Sequence, residues 1–494
     1  MKMKIWSRML VADGIIKAVR RRTLVLLSVL VVAGVAQGAQ GAAPEDPIPQ
    51  WASRYNGGGN SLDSATALAT SPDGARVFVT GYSRGFQPTG FPPHDYATVA
   101  YDSVAGAQLW AARYNGAANG DDDPTSIAVS PDGSTVFVTG SSAGSHGLEY
   151  ATVAYNSATG FQLWEARQAG KASSLAVSPD GAKVFVTGDR GTIAYATSDG
   201  ALVWRDYPQA SSVAVSPDGS IVFATGGRTY AYRAIDGSLI WESPNGTYPN
   251  DVGALFLRVS PDGSKVFVTG TGTGPYENYF YPTVYGTLAF DTSTGAEIWN
   301  VQYSGPGGRD IVRSLGVSPD GTKVFVTGNS RGEDLIDDAT TVAFAVSSGA
   351  ELWVARTDGS ARSLAVSPDG LSVFVTGASF GPSGEDYGTV AFDAYNGAQF
   401  WSAHYNEADP FGVPDSAEAI ATSPDGSMVF VTGGSGSVGF SADFLTVAYP
   451  TCFAGPKEAG PISGPVHHTV EPMSGPAAPA AHVLNRCVAA ENGL

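Results

Sequence analysis

Sulfur and charge are both scarce in this chain. Among 494 residues there are 2 cysteines, 5 methionines and 6 histidines, and only 15% of residues are charged. The cysteines, Cys452 and Cys487, both fall near the C-terminal end. That excludes a disulfide framework and any Cys-x-x-Cys metal site. In an exported protein such a pair most simply forms one disulfide, with a free pair or an intermolecular bridge as the alternatives. Basic residues are fewer than acidic ones, 28 against 46, for a formal charge of −18. A surface that acidic repels phosphate backbones, so nucleic acid is not an expected partner, while cations or a basic protein stay open.

Long apolar runs are missing too. The stretch from Leu24 to Ala36 falls short of the ~20 residues a membrane helix needs. It follows Arg20-Arg21-Arg22 and precedes Ala39-Gln40-Gly41-Ala42, which reads as an export signal over residues 1–41. Arg21-Arg22-Thr23-Leu24-Val25 also fits a twin-arginine signal, which would mean export in the folded state. Cleavage would leave 21 basic against 45 acidic groups and no integral membrane segment. An exported monomer is expected, whether secreted, periplasmic or at the cell surface.

What the chain does have is turn formers and repeats. It holds 62 glycines and 31 prolines, a mix that suits many short strands joined by turns. Ser71-Pro72-Asp73-Gly74, followed by Val77-Phe78-Val79-Thr80-Gly81, recurs with its serine at Ser130, Ser178, Ser216, Ser260, Ser318, Ser367 and Ser423. Proline presets φ, aspartate bonds nearby backbone and glycine accepts a positive φ, so each copy reads as a tight hairpin between strands A and B. A second hairpin, strands C and D, follows each one and ends on a tryptophan, as in Tyr96 to Tyr101 and then Leu109-Trp110. Four antiparallel strands per repeat is a propeller blade.

The tryptophans are Trp110, Trp164, Trp204, Trp241, Trp299, Trp353 and Trp401, one fewer than the hairpins. Trp51 lies ahead of the first hairpin, and the last repeat stops at strand C, Leu445 to Tyr449. Strand D of the final blade is therefore expected from residues around Trp51, which removes the open edges of a linear array. The expected fold is an all-β, eight-bladed propeller over residues 50–450. A short linker, 42–49, precedes it, and a Pro/Gly/Ala-rich tail, 451–494, follows. The eight tryptophans are expected to pack between blades as structural residues.

Ala100-Tyr101-Asp102 to Trp110, and Ala289-Phe290-Asp291-Thr292 to Trp299, resemble the tryptophan-docking repeat of quinoprotein-type propellers. Tyr55-Asn56-Gly57, Asp95-Tyr96-Ala97-Thr98 and Arg113-Tyr114-Asn115-Gly116 are similar to the bacterial β-propeller repeat of surface and secreted proteins. The second resemblance implies a fold and an exported setting and no activity. The first implies pyrroloquinoline quinone, but the adjacent cysteine pair and the Cys-x-x-Cys-His haem site of that family are absent here. Partners in outer-membrane assembly usually carry a lipid-modified cysteine near the signal, and none stands there.

Chemistry is thinly marked. Gly81-Tyr82-Ser83-Arg84-Gly85 matches a nucleophile elbow, but the pattern recurs at Gly140, Gly328 and Gly377 with no helix after it, so these read as loop starters. His94, His146 and His404 are scattered over different repeats, and the other three histidines, His467, His468 and His482, lie in the tail. No Ser-His-Asp set or two-His-carboxylate set can be read from such spacing. Carboxylates cluster on the face formed by B–C and D–A loops: Asp121, Asp122 and Asp123, Glu385 and Asp386, with Glu333, Asp334, Asp337, Asp338, Asp95 and Asp443. Oxygen-rich clusters favour Ca²⁺, so Asp121, Asp122, Asp123, Glu385 and Asp386 are the candidate metal ligands. An aspartate ahead of a strand also serves as a turn acceptor. No other cofactor is expected. The functional expectation is a non-enzymatic binding or scaffold propeller, with a protein or glycan partner on the variable loop face. The alternative is a pyrroloquinoline-quinone-dependent dehydrogenase-like enzyme.

Overall fold

The computed structural model describes residues 47–57, 62–85, 93–244, 253–274, 282–381, 384–406, 415–437 and 441–451. The expected signal, residues 1–41, and the expected Cys452–Cys487 bridge lie outside the described residues. So do the tips of several long loops.

The Ser-Pro-Asp-Gly turn is held by its own side chains. In the first copy the Ser71 hydroxyl donates to Asp73 Oδ1 at 2.5 Å and accepts the Arg76 N–H at 2.9 Å. Asp73 Oδ1 also accepts the Ala75 N–H, and Gly74 sits at φ +71°. The same Ser–Asp bond, again 2.5 Å, recurs in each of the other copies. These bonds hold the turn carboxyls at Asp73, Asp132, Asp180, Asp218, Asp262 and Asp425 below the ordinary value. The serine hydroxyl is the largest cause at each, and Asp262 comes down to about 2.

Each turn opens a four-stranded antiparallel sheet, and there are eight such sheets. Blades 1 to 7 run in chain order over residues 63–114, 122–169, 172–206, 210–242, 253–303, 310–357 and 363–405. Blade 8 takes three strands from residues 416–450 and its fourth from Trp51–Tyr55, in register Trp51↔Ala448 to Tyr55↔Phe444. Closure by the N-terminal strand is thus as the tryptophan spacing demands. Strand A of every blade touches strand A of the next all the way round, so the A strands line the central axis. The core is divided into separate clusters, each shared by two adjacent blades, such as Phe78, Trp110, Val136 and Tyr155.

Strand A carries a bulge in nearly every blade, for instance between Ala65 and Ala67. The glycine of each Val-Thr-Gly segment answers it. A Cβ at Gly81 would lie 2.1 Å from the Ser64 carbonyl oxygen, and one at Gly140 would lie 2.0 Å from that of Asp123. The preceding threonine is buried and meets a threonine of strand C, as in Thr80 with Thr98 at 3.2 Å and Thr139 with Thr152 at 2.9 Å. A one-residue slip would leave these hydroxyls unpaired in the core, so the pairs fix register.

The tryptophans join neighbouring blades. Trp110 is 9% exposed and its Nε1 donates to the Ser157 carbonyl in the C–D turn of the next blade at 2.9 Å. Trp51, Trp164, Trp204, Trp241, Trp299 and Trp353 do the same to the blade that follows each of them. A glycine of that turn lies against the indole at positive φ. At Gly295, with φ +71°, a Cβ would stand 2.6 Å from the Trp241 ring. Trp401 is buried against Phe374 and Tyr449.

Two predictions follow from these turns and docks. Gly295→Ala combines overpacking with a left-handed backbone, and should lower urea-denaturation stability by about 2–4 kcal/mol. A change under about 0.5 kcal/mol would contradict the docking account. For the Ser-Pro-Asp-Gly turns, a folded-state value below the usual 3.8 means stabilisation that is present above that pH and lost as pH falls toward about 2. The stability difference between wild type and Asp262→Asn should therefore shrink on acidification through that window. A pH-independent difference would show that the turn carboxylate contributes nothing by its charge.

Candidate functional site

Six blades extend well into the loop face and two do not. Strands B and C span 9 or 10 residues in blades 1, 2, 5, 6, 7 and 8, but only 6 and 6 in blade 3 and 6 and 5 in blade 4. At ~3.3 Å per residue the two short hairpins stop roughly 10 Å lower, leaving a notch in the rim. The Gly-x-Ser segments belong to these long strands. Gly81 to Arg84 lie in strand Arg76–Arg84, and Gly377 to Gly381 in strand Ser372–Gly381, so they are strand residues and not loop starters.

The serines of these segments receive cations from strand D. Arg113, three residues after Trp110, donates to Ser83 Oγ at 2.7 Å and to the Ser83 carbonyl at 2.8 Å, and pairs with Asp95 at 3.0 Å. Arg356 repeats the pattern on Ser330 and Asp338, and Arg54 on Ser435 and Asp443. Arg167 pairs with Glu149 at 2.6 Å and also donates to the Tyr114 hydroxyl. Burial works against the Arg356 charge, but the bonds from Asp338 and Tyr303 outweigh it and raise its pKa. In blade 7 a histidine takes the arginine's place, with His404 Nδ1 at 2.9 Å from Ser379 Oγ. Sequence spacing did not reveal this Ser–His contact. Ser379 is 4% exposed and its hydroxyl also donates to the Asp386 carbonyl, so it sits in the fold as its counterparts do, closed to an incoming acyl group.

A second set of carboxylates caps the loops from within. Asp63, Asp122 and Asp310 are fully buried at the start of strand A. Asp122 accepts the Gly116 N–H at 2.7 Å and the Ala143 N–H at 3.1 Å, and Asp63 accepts those of Gly57 and Arg84. Asp415 likewise accepts the Gly436 N–H at 2.9 Å. Burial raises the carboxyls of Asp63, Asp310 and Asp415, with these hydrogen bonds opposing it.

The candidate metal ligands are thereby divided. Asp122 faces inward as a cap. Asp123 bonds His94 Nε2 at 2.6 Å, and Asp121 lies 3.2 Å from His94 Nδ1. Glu385 and Asp386 stand in strand C of blade 7, three blades round the ring, where the Glu385 carbonyl accepts the Asp415 N–H. Among the described residues no group of three or more His, Cys, Asp and Glu is placed to hold a metal ion. No helix among them is long and apolar enough to cross a membrane.

Apolar side chains also reach solvent on this face. In the B–C loop of blade 6, Leu335 is 68% exposed at φ +66°, and Ile336 beside it is 58% exposed. Phe380 is similarly exposed on blade 7. A different apolar patch runs along the outer edge of blades 3 and 4. There Leu202 and Leu239 occupy the position two before the tryptophan that is Gln or Glu in blades 1, 2, 5, 6 and 7.

A family model described as outer membrane protein assembly factor BamB matches residues 95–276 and 284–443. The chain belongs to this family. No individual curated protein matches it. Among solved structures it is similar to Sqt1 of Chaetomium thermophilum, bound to the N-terminus of the ribosomal protein L10. That match has 14% identity and a TM-score of 0.58 over 82% of this chain and 100% of that one. The C-terminal WD40 domain of Sif2 matches with 13% identity and a TM-score of 0.55 over 79% and 97%. BamB from Moraxella catarrhalis matches with 15% identity and a TM-score of 0.49 over 83% and 99%. Two features bear on the pyrroloquinoline quinone that the quinoprotein resemblance implies. The chain has no adjacent cysteine pair, and Asp95, Asp338 and Asp443 are engaged by arginines.

His94 offers a direct check on the loop-face electrostatics. The Asp123 bond raises its pKa above the usual 6.5, with burial opposing and the charges of Asp123 and Asp121 adding. This contact stabilises the folded state fully below 6.5 and is lost as pH rises through the folded value. An NMR titration of His94 should give a midpoint above 6.5 that falls back toward it in Asp123→Asn. Equal midpoints in the two proteins would rule out the contact in solution.

Proposed function

We propose that this protein is an exported, non-catalytic propeller that binds a protein partner through its loop face. The observation that carries the reading is Leu335. A left-handed backbone costs a branched residue about 1–2 kcal/mol, and solvent exposure of Leu335 and Ile336 brings nothing back in the free protein. A partner that covers them would. Phe380 on the neighbouring blade extends the same apolar rim. Lack of catalysis is supported by the serines and carboxylates of this face, which are tied into arginine contacts and loop caps. Export is supported by the order of residues in 1–41. The family's description suggests that the partner is a component of outer-membrane protein assembly.

The outer edge of blades 3 and 4 is the competing surface, and one experiment separates the two. Full-length tagged protein is crosslinked in cells of its host, with Leu335→Asp/Ile336→Asp and Leu202→Glu/Leu239→Glu as variants. Loss of the adduct in the first variant, with retention in the second, is the expected result. The reverse pattern would move the binding surface to the outer edge. No adduct with either variant or with wild type would sink the scaffold reading. N-terminal sequencing of the exported protein should start near residue 42.

A further inference from the structure

The bulges of strand A, the strand that lines the axis, set one extra residue at an equivalent position in seven of the eight blades. In blades 1 to 4 these are Thr66, Thr125, Ser173 and Ser211, all small and hydroxylated. Thr66 and Thr125 donate to backbone carbonyls of the next blade, Pro124 at 2.9 Å and Ala172 at 3.2 Å. In blades 1 and 2 the bulge hydroxyl is thus satisfied by the neighbouring backbone. After Leu255 in blade 5, the later blades carry charge: Arg313 in blade 6 and Glu418 in blade 8 occupy the bulge. Arg362 takes the matching place in blade 7, its N–H bonded to the Thr376 carbonyl at 2.7 Å just ahead of the Ser363↔Thr376 pair. One layer further along the strand, where other blades place alanine or glycine (Ala69, Ala128, Gly316), blade 5 places Arg258, whose Nη1 donates to the Leu257 carbonyl at 2.8 Å.

The guanidinium groups of Arg313 and Arg362 thus stand close enough to repel each other, in a chain with a formal charge of −18. Among the described residues the carboxylate paired with them is Glu418, and it holds Arg362 only loosely. Arg362 Nε stands 3.9 Å from Glu418 Oε1, beyond hydrogen-bond reach, while that oxygen accepts the Ser416 hydroxyl at 3.0 Å. Arg313 Nε and Arg362 Nε are both buried, with no hydrogen-bond partner. Burial and the like charge of Arg362 hold the Arg313 pKa below its ordinary value. Arginine does not relieve such a conflict by losing its proton. A buried N–H is ordinarily hydrogen-bonded, and a pair of forked donors matches the oxygens of an oxyanion.

We propose that the central channel beside blades 6 to 8 binds a small oxyanion, carrying carboxylate or phosphate groups, between Arg313 and Arg362. Arg258 adds positive charge from the deeper layer, and Glu418 acts as a built-in competitor. This site is independent of partner binding at the loop tips.

Isothermal titration of the full-length protein with inorganic phosphate and, separately, with citrate tests the idea. Ionic strength is held constant with sodium chloride. Saturable binding of at least one of them is expected, and which one binds separates the phosphate source from the carboxylate source. Arg313→Gln/Arg362→Gln should weaken it at least tenfold. Glu418→Gln should tighten it about threefold or more, and Arg205→Gln on the outer edge should leave it unchanged. The single variant Arg362→Gln should be no less stable than wild type without ligand, because it removes a repulsion. Absence of saturable binding by wild type overturns the proposal, as does unchanged affinity in Glu418→Gln even if the double variant fails to fold. Lowered ligand-free stability in Arg362→Gln with unchanged affinity would assign the arginines to the fold.

Discussion

The contact on which the rest of this propeller depends is the indole of one blade lying on the turn glycine of the next. It joins two surfaces that a single blade cannot bury alone, because each hydrophobic cluster draws members from both neighbours. The indole N–H supplies direction as well as area. It reaches a carbonyl in the C–D turn, and the glycine at positive φ lets the ring approach the backbone closely. Repeated round the ring, this sets the angle between blades and so the width of the channel. The loop face can then vary without disturbing closure, since the docks lie toward the opposite, uniform face.

Much of this architecture is legible in the sequence because it rests on local signals. Ser-Pro-Asp-Gly specifies a turn within four residues, and the mismatch between turns and tryptophans forces Trp51 into the last blade. The Val-Thr-Gly glycine is visible as a repeat, but its reason, a strand-A carbonyl just before the bulge, comes from 17 residues earlier in the chain, as with Gly81 and Ser64. The arginine contacts were harder still. Arg113 meets Ser83 and Asp95 from three different strands, so no short motif contains them. A signal did exist in the spacing Trp51–Arg54, Trp110–Arg113, Trp164–Arg167 and Trp353–Arg356. Because of it, Asp95, Glu149, Asp338 and Asp443, which look like free oxygen donors in sequence, are ion-paired in the fold. Asp121 and Asp123 keep substantial exposure and hold a histidine, while Glu333 and Asp334 stay exposed in the B–C loop of blade 6.

Repetition makes departures informative. Where every blade uses the same scaffold, a residue that differs at one equivalent position has been placed there against the pattern. His404 in place of arginine, Leu202 and Leu239 in place of a polar edge, and Arg313 and Arg362 in place of threonine or serine are departures of this kind. They are not spread evenly. The short hairpins and the apolar edge coincide on blades 3 and 4, while the exposed loop leucine and the channel arginines coincide on blades 6 and 7. The ring is built from eight similar parts but has two distinct sides.

The seam between Trp51–Tyr55 and strand C of blade 8 also constrains how the molecule is made. Its two strands are synthesised at opposite ends of the chain, so the first strand has no pairing partner until the last one emerges. A chain threaded through a pore unfolded would arrive on the far side with that strand first, its ladder groups open to any neighbouring edge for the whole transit. A chain carried across already folded would never expose it there. If the chain is exported as proposed, the position of a single five-residue strand therefore makes the route matter for its chance of misassembly.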